Sequence, residues 1–256
     1  MVTGAAGQLG RSLQDLTSEY PNFQFVFKIS NDLDITNNES LVEIFKTGGF
    51  DYCINCAAYT KVDEAEKSPE MAFKVNAEGV KNLASACKHN NVALIHISTD
   101  YVFDGEKGSP YTVNDQPKPI NVYGKSKWEG EKYIQNILDK YFIVRTSWLY
   151  HKIHGHNFYK TILTKARKGE ELRITDAQIG CPTNAANLAK YLLELILTDN
   201  QEYGIYHFTD GQAMSWIDFA KIIVEENGLI NTTTIVKDNN YRSFANRPKN
   251  SLLQNR

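Results

Sequence analysis

The residues best suited to chemistry are a phenol and an ammonium four positions apart, in Tyr123-Gly-Lys-Ser-Lys127. On a helix, positions i and i+4 share a face, so both groups can reach one site. A tyrosine near pKa ~10 is a poor proton shuttle at neutral pH, and a cation within a few ångströms favours its phenolate. Taken alone, a Tyr-x-x-x-Lys spacing is common on ordinary surface helices. It gains force from Ser98-Thr99-Asp100-Tyr101, which ends an apolar run over residues 93–97. Hydroxyls at the carboxyl end of a parallel strand face the crevice where ligands bind. Thr99 could there donate a hydrogen bond to a carbonyl oxygen as charge develops on it, although strand-end hydroxyls also serve simply to cap loops.

A third element is Gly4-Ala-Ala-Gly7-Gln-Leu-Gly10, between the first apolar run and the first amphipathic one. A strand-to-helix turn that carries a pyrophosphate needs little side-chain bulk, because backbone N–H groups must approach the phosphate closely. The spacing is G-x-x-G-x-x-G rather than G-x-G-x-x-G; its context is the one a dinucleotide site requires, although a tight strand-to-helix turn with no ligand would read the same way. The second strand ends in Phe27-Lys-Ile-Ser-Asn-Asp-Leu-Asp-Ile with no acid directly at its end, while Lys28 and Ser30 lie nearby. An acid would select a free ribose 2′-hydroxyl, so the segment favours NADPH slightly and leaves NADH admissible. Asp34 and Ile35 fall where they could flank the adenine, and Cys56-Ala57-Ala58-Tyr59 leaves the third strand with the small residues that a cofactor crossing the sheet tolerates. Tight packing alone would also favour those alanines.

The elements that position these groups alternate along the chain. Strands are expected over 1–3, 23–29, 52–55, 93–98 and 142–145, with helices over 8–19, 39–47, 69–90 and 123–139. Short apolar runs alternating with amphipathic ones predict a parallel sheet covered by helices. The fold class is therefore α/β, a Rossmann-type doubly wound sheet with a smaller C-terminal substrate-binding lobe. Residues 1–150 read as the dinucleotide-binding domain. Residues 151–256 read mostly as the lobe, with elements near 180–205 returning to the sheet. Within it, helices are expected over 158–168 and 187–197 and strands over 172–175 and 203–208. Ser215 opens a further helix that Gly228 stops. Both ends read as clipped, since three residues precede the glycine turn where a central strand usually has five or six.

Composition narrows the function classes. The 256 residues carry a formal charge of −2 with 42% hydrophobic residues, which gives no electrostatic footprint for nucleic acid or an acidic membrane. No apolar run approaches the roughly 18 residues of a membrane span, and no leader is evident, so a cytoplasmic protein is expected. Cys53 and Cys56 spell C-x-x-C, but inside a strand and its exit, where buried structural thiols are expected. His151, His154 and His156 stand three and two apart in a loop with no nearby cysteine and only distant acids, so neutral loop histidines are expected rather than a metal site.

Glycine turn, strand-end hydroxyl and Tyr-x-x-x-Lys, in that order, resemble the short-chain dehydrogenase superfamily. The wording is narrower still. Thr3-Gly-Ala-Ala-Gly-Gln-Leu-Gly, Leu33-Asp-Ile-Thr, Asn55-Cys-Ala-Ala-Tyr-Thr-Lys-Val-Asp-Glu-Ala-Glu, Ser98-Thr-Asp-Tyr-Val-Phe-Asp-Gly, Arg145-Thr-Ser-Trp-Leu-Tyr, Gln178-Ile-Gly-Cys-Pro-Thr and Arg247-Pro-Lys-Asn-Ser resemble the dTDP-4-dehydrorhamnose reductase family. The resemblance implies reduction of the 4-keto group of dTDP-4-dehydro-6-deoxy-L-mannose to dTDP-L-rhamnose, a precursor of bacterial surface polysaccharide. It implies that Tyr123 donates a proton, that Lys127 binds the nicotinamide ribose and lowers the tyrosine pKa, and that Thr99 polarises the carbonyl. Gly7, Gln8, Leu9 and Gly10 would meet the pyrophosphate; Gly4, Ala57, Ala58, Tyr59 and Asn76 would also serve the cofactor. Asp100, Tyr101, Trp148, Asn157 and Arg247, with Thr99, would face the dTDP-sugar. Family members that use glutamates for a magnesium-linked dimer have them where this chain reads Arg11-Ser-Leu-Gln and Asn184-Ala-Ala-Asn-Leu-Ala-Lys. No metal is expected, and a homodimer stays open. Other nucleotide-sugar reductases, epimerases and dehydratases share the motifs, as does a non-catalytic dinucleotide-binding regulatory subunit.

Overall fold

The fold is described by a computed structural model covering residues 1–198 and 201–256. Strands β1 (Val2–Thr3), β2 (Phe27–Lys28), β3 (Tyr52–Asn55), β4 (Ala93–Thr99), β5 (Tyr141–Thr146) and β10 (Gly204–His207) form one parallel sheet in the order β10-β5-β4-β3-β1-β2. Side chains alternate across it with the period of two that a strand imposes. Met1, Cys53, Leu94 and Ile143 enter one core. Val2, Ile54, Ile95, Phe142 and Val144 enter the other. Both faces are apolar because both are covered.

On the first face lie α2 (Asn38–Gly48), α5 (Val80–His89) and α6 (Val122–Ile137), which contribute Leu41, Phe45, Leu83 and Ile134. On the second lie α1 (Gln8–Asp15) and α8 (Ala185–Leu197), through Leu9, Leu13, Leu188 and Leu192. Chain order reverses between β1 and β3, so the crevice at their carboxyl ends is the topological switch point where ligands of such sheets bind.

A separate core joins α7 (Phe158–Arg167), α9 (Trp216–Glu226), β7 (Leu172–Ile174) and β12 (Ile235–Lys237) through Tyr159, Ile162, Leu172, Phe219 and Ile223. The short pairs β6 (Leu149–Tyr150) with β9 (Thr183–Asn184), and β8 (Ile179–Gly180) with β11 (Met214–Ser215), connect this lobe to the sheet.

Several expected boundaries shift. The strand expected over 23–29 pairs only at Phe27–Lys28, because Tyr20, Phe23, Phe25 and Phe27 instead stack in a row against the second core. The helix expected over 8–19 ends at Asp15, followed by a short 3₁₀ turn over Thr17–Glu19. The helix expected over 69–90 is interrupted by a wide π turn at Lys74–Gly79 between α4 (Pro69–Phe73) and α5. Such turns often occur at functional sites. A helix α3 (Val62–Lys67) was not anticipated. Among the described residues, no helix is long and apolar enough to cross a membrane.

Candidate active site

The glycine turn is shaped by close approach. Gly4 has φ +62, and a Cβ there would lie 2.5 Å from the Ala57 nitrogen, so the turn presses on the exit of β3. At Gly10 a Cβ would fall 2.6 Å from Ala5 Cα, which only glycine avoids. Gly7 is the N-cap of α1 and provides no side-chain cap, which leaves the first-turn amides for an anion and the helix dipole to favour it. Gln14 Nε2 donates to Ala5 O at 2.7 Å and props the turn from below. A cradle closed to a Cβ at Gly4 and Gly10, with backbone amides of the first helical turn at its mouth, fits the pyrophosphate of a dinucleotide.

The groups expected to do chemistry come from α6 and the end of β4. Asn121 caps α6 by accepting from Gly124 N at 2.7 Å, a contact of about 1 kcal/mol. Two glycines let the helix close on its neighbours, the turn after β4 and the π turn before α5: a Cβ at Gly124 would sit 2.1 Å from Tyr101 O, and one at Gly130 would sit 2.2 Å from Asn76 O. Tyr123 and Lys127 thereby reach a cleft of about 550 Å³ together with Thr99, Asp100 and Tyr101. Thr99 Oγ1 donates to Asp100 Oδ1 at 3.1 Å and accepts from Tyr101 N at 3.2 Å. Asp100 Oδ2 is buried with no partner among the described residues. Burial pushes Asp100 up to about 7, against the hydroxyls of Ser251 and Thr99.

Burial also raises Tyr123 to about 12, with the Thr99 hydroxyl working the other way. Lys127 is lowered to about 8 by burial, opposed by Glu131 and Cys56. The groups that shift Tyr123 are its burial, Thr99 and Asp100, and Lys127 is not among them. Desolvation dominates both groups, and Lys127 Nζ is directed to Ile97 O at 2.6 Å and to His96 Nε2 at 3.2 Å.

The same cleft gathers Gly7, Gln8, Leu9, Gly10, Ala57, Ala58, Trp148, Asn157 and Arg247. Arg247 donates to Asp63 Oδ2 at 2.8 Å, and its buried Nε has no partner among the described residues. Trp148 has the strained φ of +46. It stacks on Trp216 with ring centroids 3.5 Å apart, and Trp216 Nε1 donates to Gln178 Oε1 at 2.8 Å. A Cβ at Gly180 would come 2.3 Å from the Trp148 ring, so the Gln178-Ile-Gly180 segment serves to seat this aromatic wall.

The other expected site residues are engaged within the protein. Asn76 is fully buried and spends its amide on Tyr59 N, Tyr59 O and Ser126 Oγ at 2.8, 2.9 and 3.0 Å. It shapes the backbone at Tyr59 and does not reach the cleft. Gly4, Asp34, Ile35 and Tyr59 also lie outside its walls. Ile35 is buried against the Gly79 backbone, and Asp34 Oδ1 accepts from Thr36 N. Asn157 lines the cleft, but its amide caps α7 and donates to Gln8 Oε1 at 2.7 Å, which ties the lobe to the glycine turn. Thr60, Val62, Thr146, Ser147, Tyr150 and Trp216 are wall residues that sequence reasoning missed. Thr146 ends β5 and Ser147 follows it, and the strand-end rule applied to Thr99 would have found them.

Cys53, Cys56, Cys87 and Cys181 are free thiols. The acid thought distant from the loop histidines is close in space. Asp15 Oδ2 lies 2.6 Å from His154 Nε2, and Asp15, His151 and His154 offer ligand atoms within 4.8 Å of one another. However, His151 Nδ1 accepts from the Ile153 and His154 amides, each at 2.9 Å. The neutral ring then carries its proton on Nε2, which opposes a metal there.

The model of the family described as "RmlD substrate binding domain" matches residues 1–256. The chain is 40% identical over 266 residues to a dTDP-4-dehydrorhamnose reductase of Aggregatibacter actinomycetemcomitans, covering 99% of this chain and 89% of that protein. It superposes on the crystal structure of a dTDP-4-dehydrorhamnose reductase from Clostridium acetobutylicum with a TM-score of 0.93 and 40% identity, covering 99% and 89% of the two chains. A Bacillus anthracis dTDP-4-dehydrorhamnose reductase in complex with NADP gives a TM-score of 0.93 at 39% identity, covering 100% and 89%. With a family model matched from end to end and relatives this similar over their length, the chain belongs to the dTDP-4-dehydrorhamnose reductase family.

Proposed function

We propose that the protein reduces the 4-keto group of dTDP-4-dehydro-6-deoxy-L-mannose to give dTDP-L-rhamnose, with NADPH preferred and NADH admissible. The observation that carries this reading is the convergence of Thr99, Tyr123 and Lys127 on the cleft that the glycine turn opens. When bound, the reduced nicotinamide supplies a hydride to the carbonyl carbon. Gly7, Gln8, Leu9 and Gly10 hold the pyrophosphate, and Ala57 and Ala58 leave room for the adenosine side.

Tyr123 donates its phenolic proton to the new alkoxide, a role suited to a phenol held protonated well above neutrality. Thr99 Oγ1 faces the carbonyl oxygen. With the Asp100 carboxyl pushed up to about 7 by burial, the Thr99 hydroxyl, which donates to Asp100 Oδ1 at 3.1 Å, can turn from that acceptor to the substrate. The hydroxyl hydrogen is then free for the developing oxyanion. Arg247, with an unspent buried N–H, suits the diphosphate of the sugar nucleotide, and the Trp148–Trp216 stack suits an apolar sugar face.

In this reading residues 1–150, joined by α8 and β10, serve the dinucleotide, while the core around α7 and α9 serves the sugar, in a cytoplasmic enzyme. An intact Thr99, Tyr123 and Lys127 around one cleft speaks against a purely regulatory subunit. The test is to generate the keto sugar in situ and follow loss of reduced-nicotinamide absorbance. Oxidation that disappears in Tyr123→Phe supports the reading. No oxidation by a protein shown to bind the dinucleotide overturns it.

A further inference from the structure

Asp63 and Glu66 lie three positions apart on α3, so they share a face of that helix. Glu66 Oε1 accepts from Val122 N at 2.7 Å, in the first turn of α6 and one residue before Tyr123. Asp63 grips a segment that reaches it from up to 184 positions further along the chain. Its Oδ1 accepts from Ala245 N at 2.9 Å, and its Oδ2 accepts from Arg247 NH2 at 2.8 Å. Between these two anchors, Asn246 O accepts from Asn121 Nδ2 at 2.8 Å, and Asn121 is the N-cap of α6. Three successive residues are thus fixed to α3 and to the start of the helix that carries Tyr123. Thr60 and Val62, just before Asp63, line the cleft, as Arg247 does.

Stability alone does not account for the grip. The Asp63 and Arg247 side chains are 45% and 18% exposed, and a pair this open to water contributes little to folding. Its effect is on direction. Arginine is a long side chain that presents its N–H donors in a rigid fork. Here one prong rests on Asp63, while the buried Nε–H has no partner among the described residues. A ligand that meets a loose arginine must order it, a cost spared when the side chain is already held.

We infer that Asp63 is a positioning residue, which holds Arg247 with its unspent donors toward the cleft and so raises affinity for the diphosphate of the sugar nucleotide. This rests on the reading of Arg247 as the diphosphate contact. A carboxylate could instead act through its charge alone, and the two roles differ in sign. A negative group beside the arginine repels a diphosphate, so if charge prevailed its removal would tighten binding. Solvent and salt screen the repulsion from a half-exposed carboxylate. The loss of a fixed guanidinium geometry is not screened, so removal should weaken binding.

The test is a double-mutant cycle on the full chain, with dTDP titrated by calorimetry and NADPH by fluorescence. Asp63→Asn keeps an oxygen for the Ala245 amide but sets an amide NH₂ group against the guanidinium. It should weaken dTDP binding by about three- to tenfold, the ordering cost of one long side chain, and leave the NADPH Kd unchanged. Asp63→Ala, which gives the guanidinium no new neighbour, should shift dTDP binding in the same direction. In an Arg247→Gln background, Asp63→Asn should alter dTDP affinity by less than about twofold, because the partner it acts through is gone. Unchanged or tighter dTDP binding in the Asp63 variants overturns the inference, as does a wild type that does not bind dTDP. An equal loss for NADPH, or a loss that persists without Arg247, makes Asp63 a structural residue only and overturns it too. None of these readings needs turnover. The expected cycle in a protein that cannot reduce the keto sugar would support the positioning role and overturn the proposed activity alone. Turnover of the keto sugar with dTDP binding indifferent to Asp63 would overturn the positioning role alone.

Discussion

Glu131 and Arg145 form an ion pair whose side chains are 0% and 1% exposed. Arg145 Nε meets Oε1 at 3.0 Å and NH2 meets Oε2 at 2.6 Å, a two-pronged match of guanidinium to carboxylate. Ser98 Oγ donates to the same Oε1, so the carboxylate joins α6 to the ends of β4 and β5, beside Thr99 and one turn beyond Lys127. Glu131→Gln keeps the shape but leaves a buried guanidinium without a counter-charge. Breaking such a pair on one side costs about 3–5 kcal/mol. For a domain of this size each kcal/mol moves the midpoint by roughly 2–4 °C, so the expected fall in Tm is about 6–20 °C, with a matching drop in the urea midpoint. The exposed pair Lys88–Asp139 provides the control, and Lys88→Ala should leave Tm essentially unchanged. Replacing both members, Glu131→Leu with Arg145→Met, should recover most of the loss, because neither charge is then left buried alone. A Glu131→Gln protein melting within about 2 °C of wild type would refute the reasoning, since it would mean that water or another group neutralises Arg145.

Asp100→Asn should remove a pH dependence of stability. The folded carboxyl binds a proton up to about 7, whereas the unfolded one releases it near 4. The folded state therefore holds more protons between these values, and the stability Asp100 contributes at low pH is lost as pH rises through 7. Urea midpoints at pH 5 and pH 8 should show the wild type losing ground against Asp100→Asn, and a pH-independent difference would contradict this. Gly10→Ala should weaken NADPH binding by about tenfold or more in a fluorescence titration. Its Cβ meets backbone 2.6 Å away, and overpacking of this kind costs about 1–3 kcal/mol; an unchanged Kd would show that the turn yields freely. Trp216→Ala should raise KM for the sugar nucleotide by about tenfold with a smaller effect on kcat, because the stack with Trp148 contributes binding area on top of about 0.5–1.5 kcal/mol of ring pairing. A loss confined to kcat would place Trp216 elsewhere in the reaction.

The features legible in the chain before folding are those that short-range rules govern. The glycine turn, the Tyr123/Lys127 spacing and the alternation of apolar and amphipathic runs each follow from local backbone geometry and a repeat of two or 3.6. They were enough to place Thr99, Tyr123, Lys127 and the first-turn residues at one crevice, because parallel sheets leave a switch point where chain order reverses. The tertiary structure alone decided how distant side chains spend their hydrogen bonds. Asn76 looked like a cofactor contact, yet it is consumed by Tyr59 and Ser126. Trp216 becomes a wall of the cleft only because Gly180 leaves space for Trp148. Asp15 meets His154 across 139 positions of chain. Asp63 holds Ala245 and Arg247 from the other end of the chain, a contact that no local pattern encodes. Burial likewise sets the direction in which Tyr123 shifts, since desolvation depends on everything packed around a group and not on its neighbours in sequence.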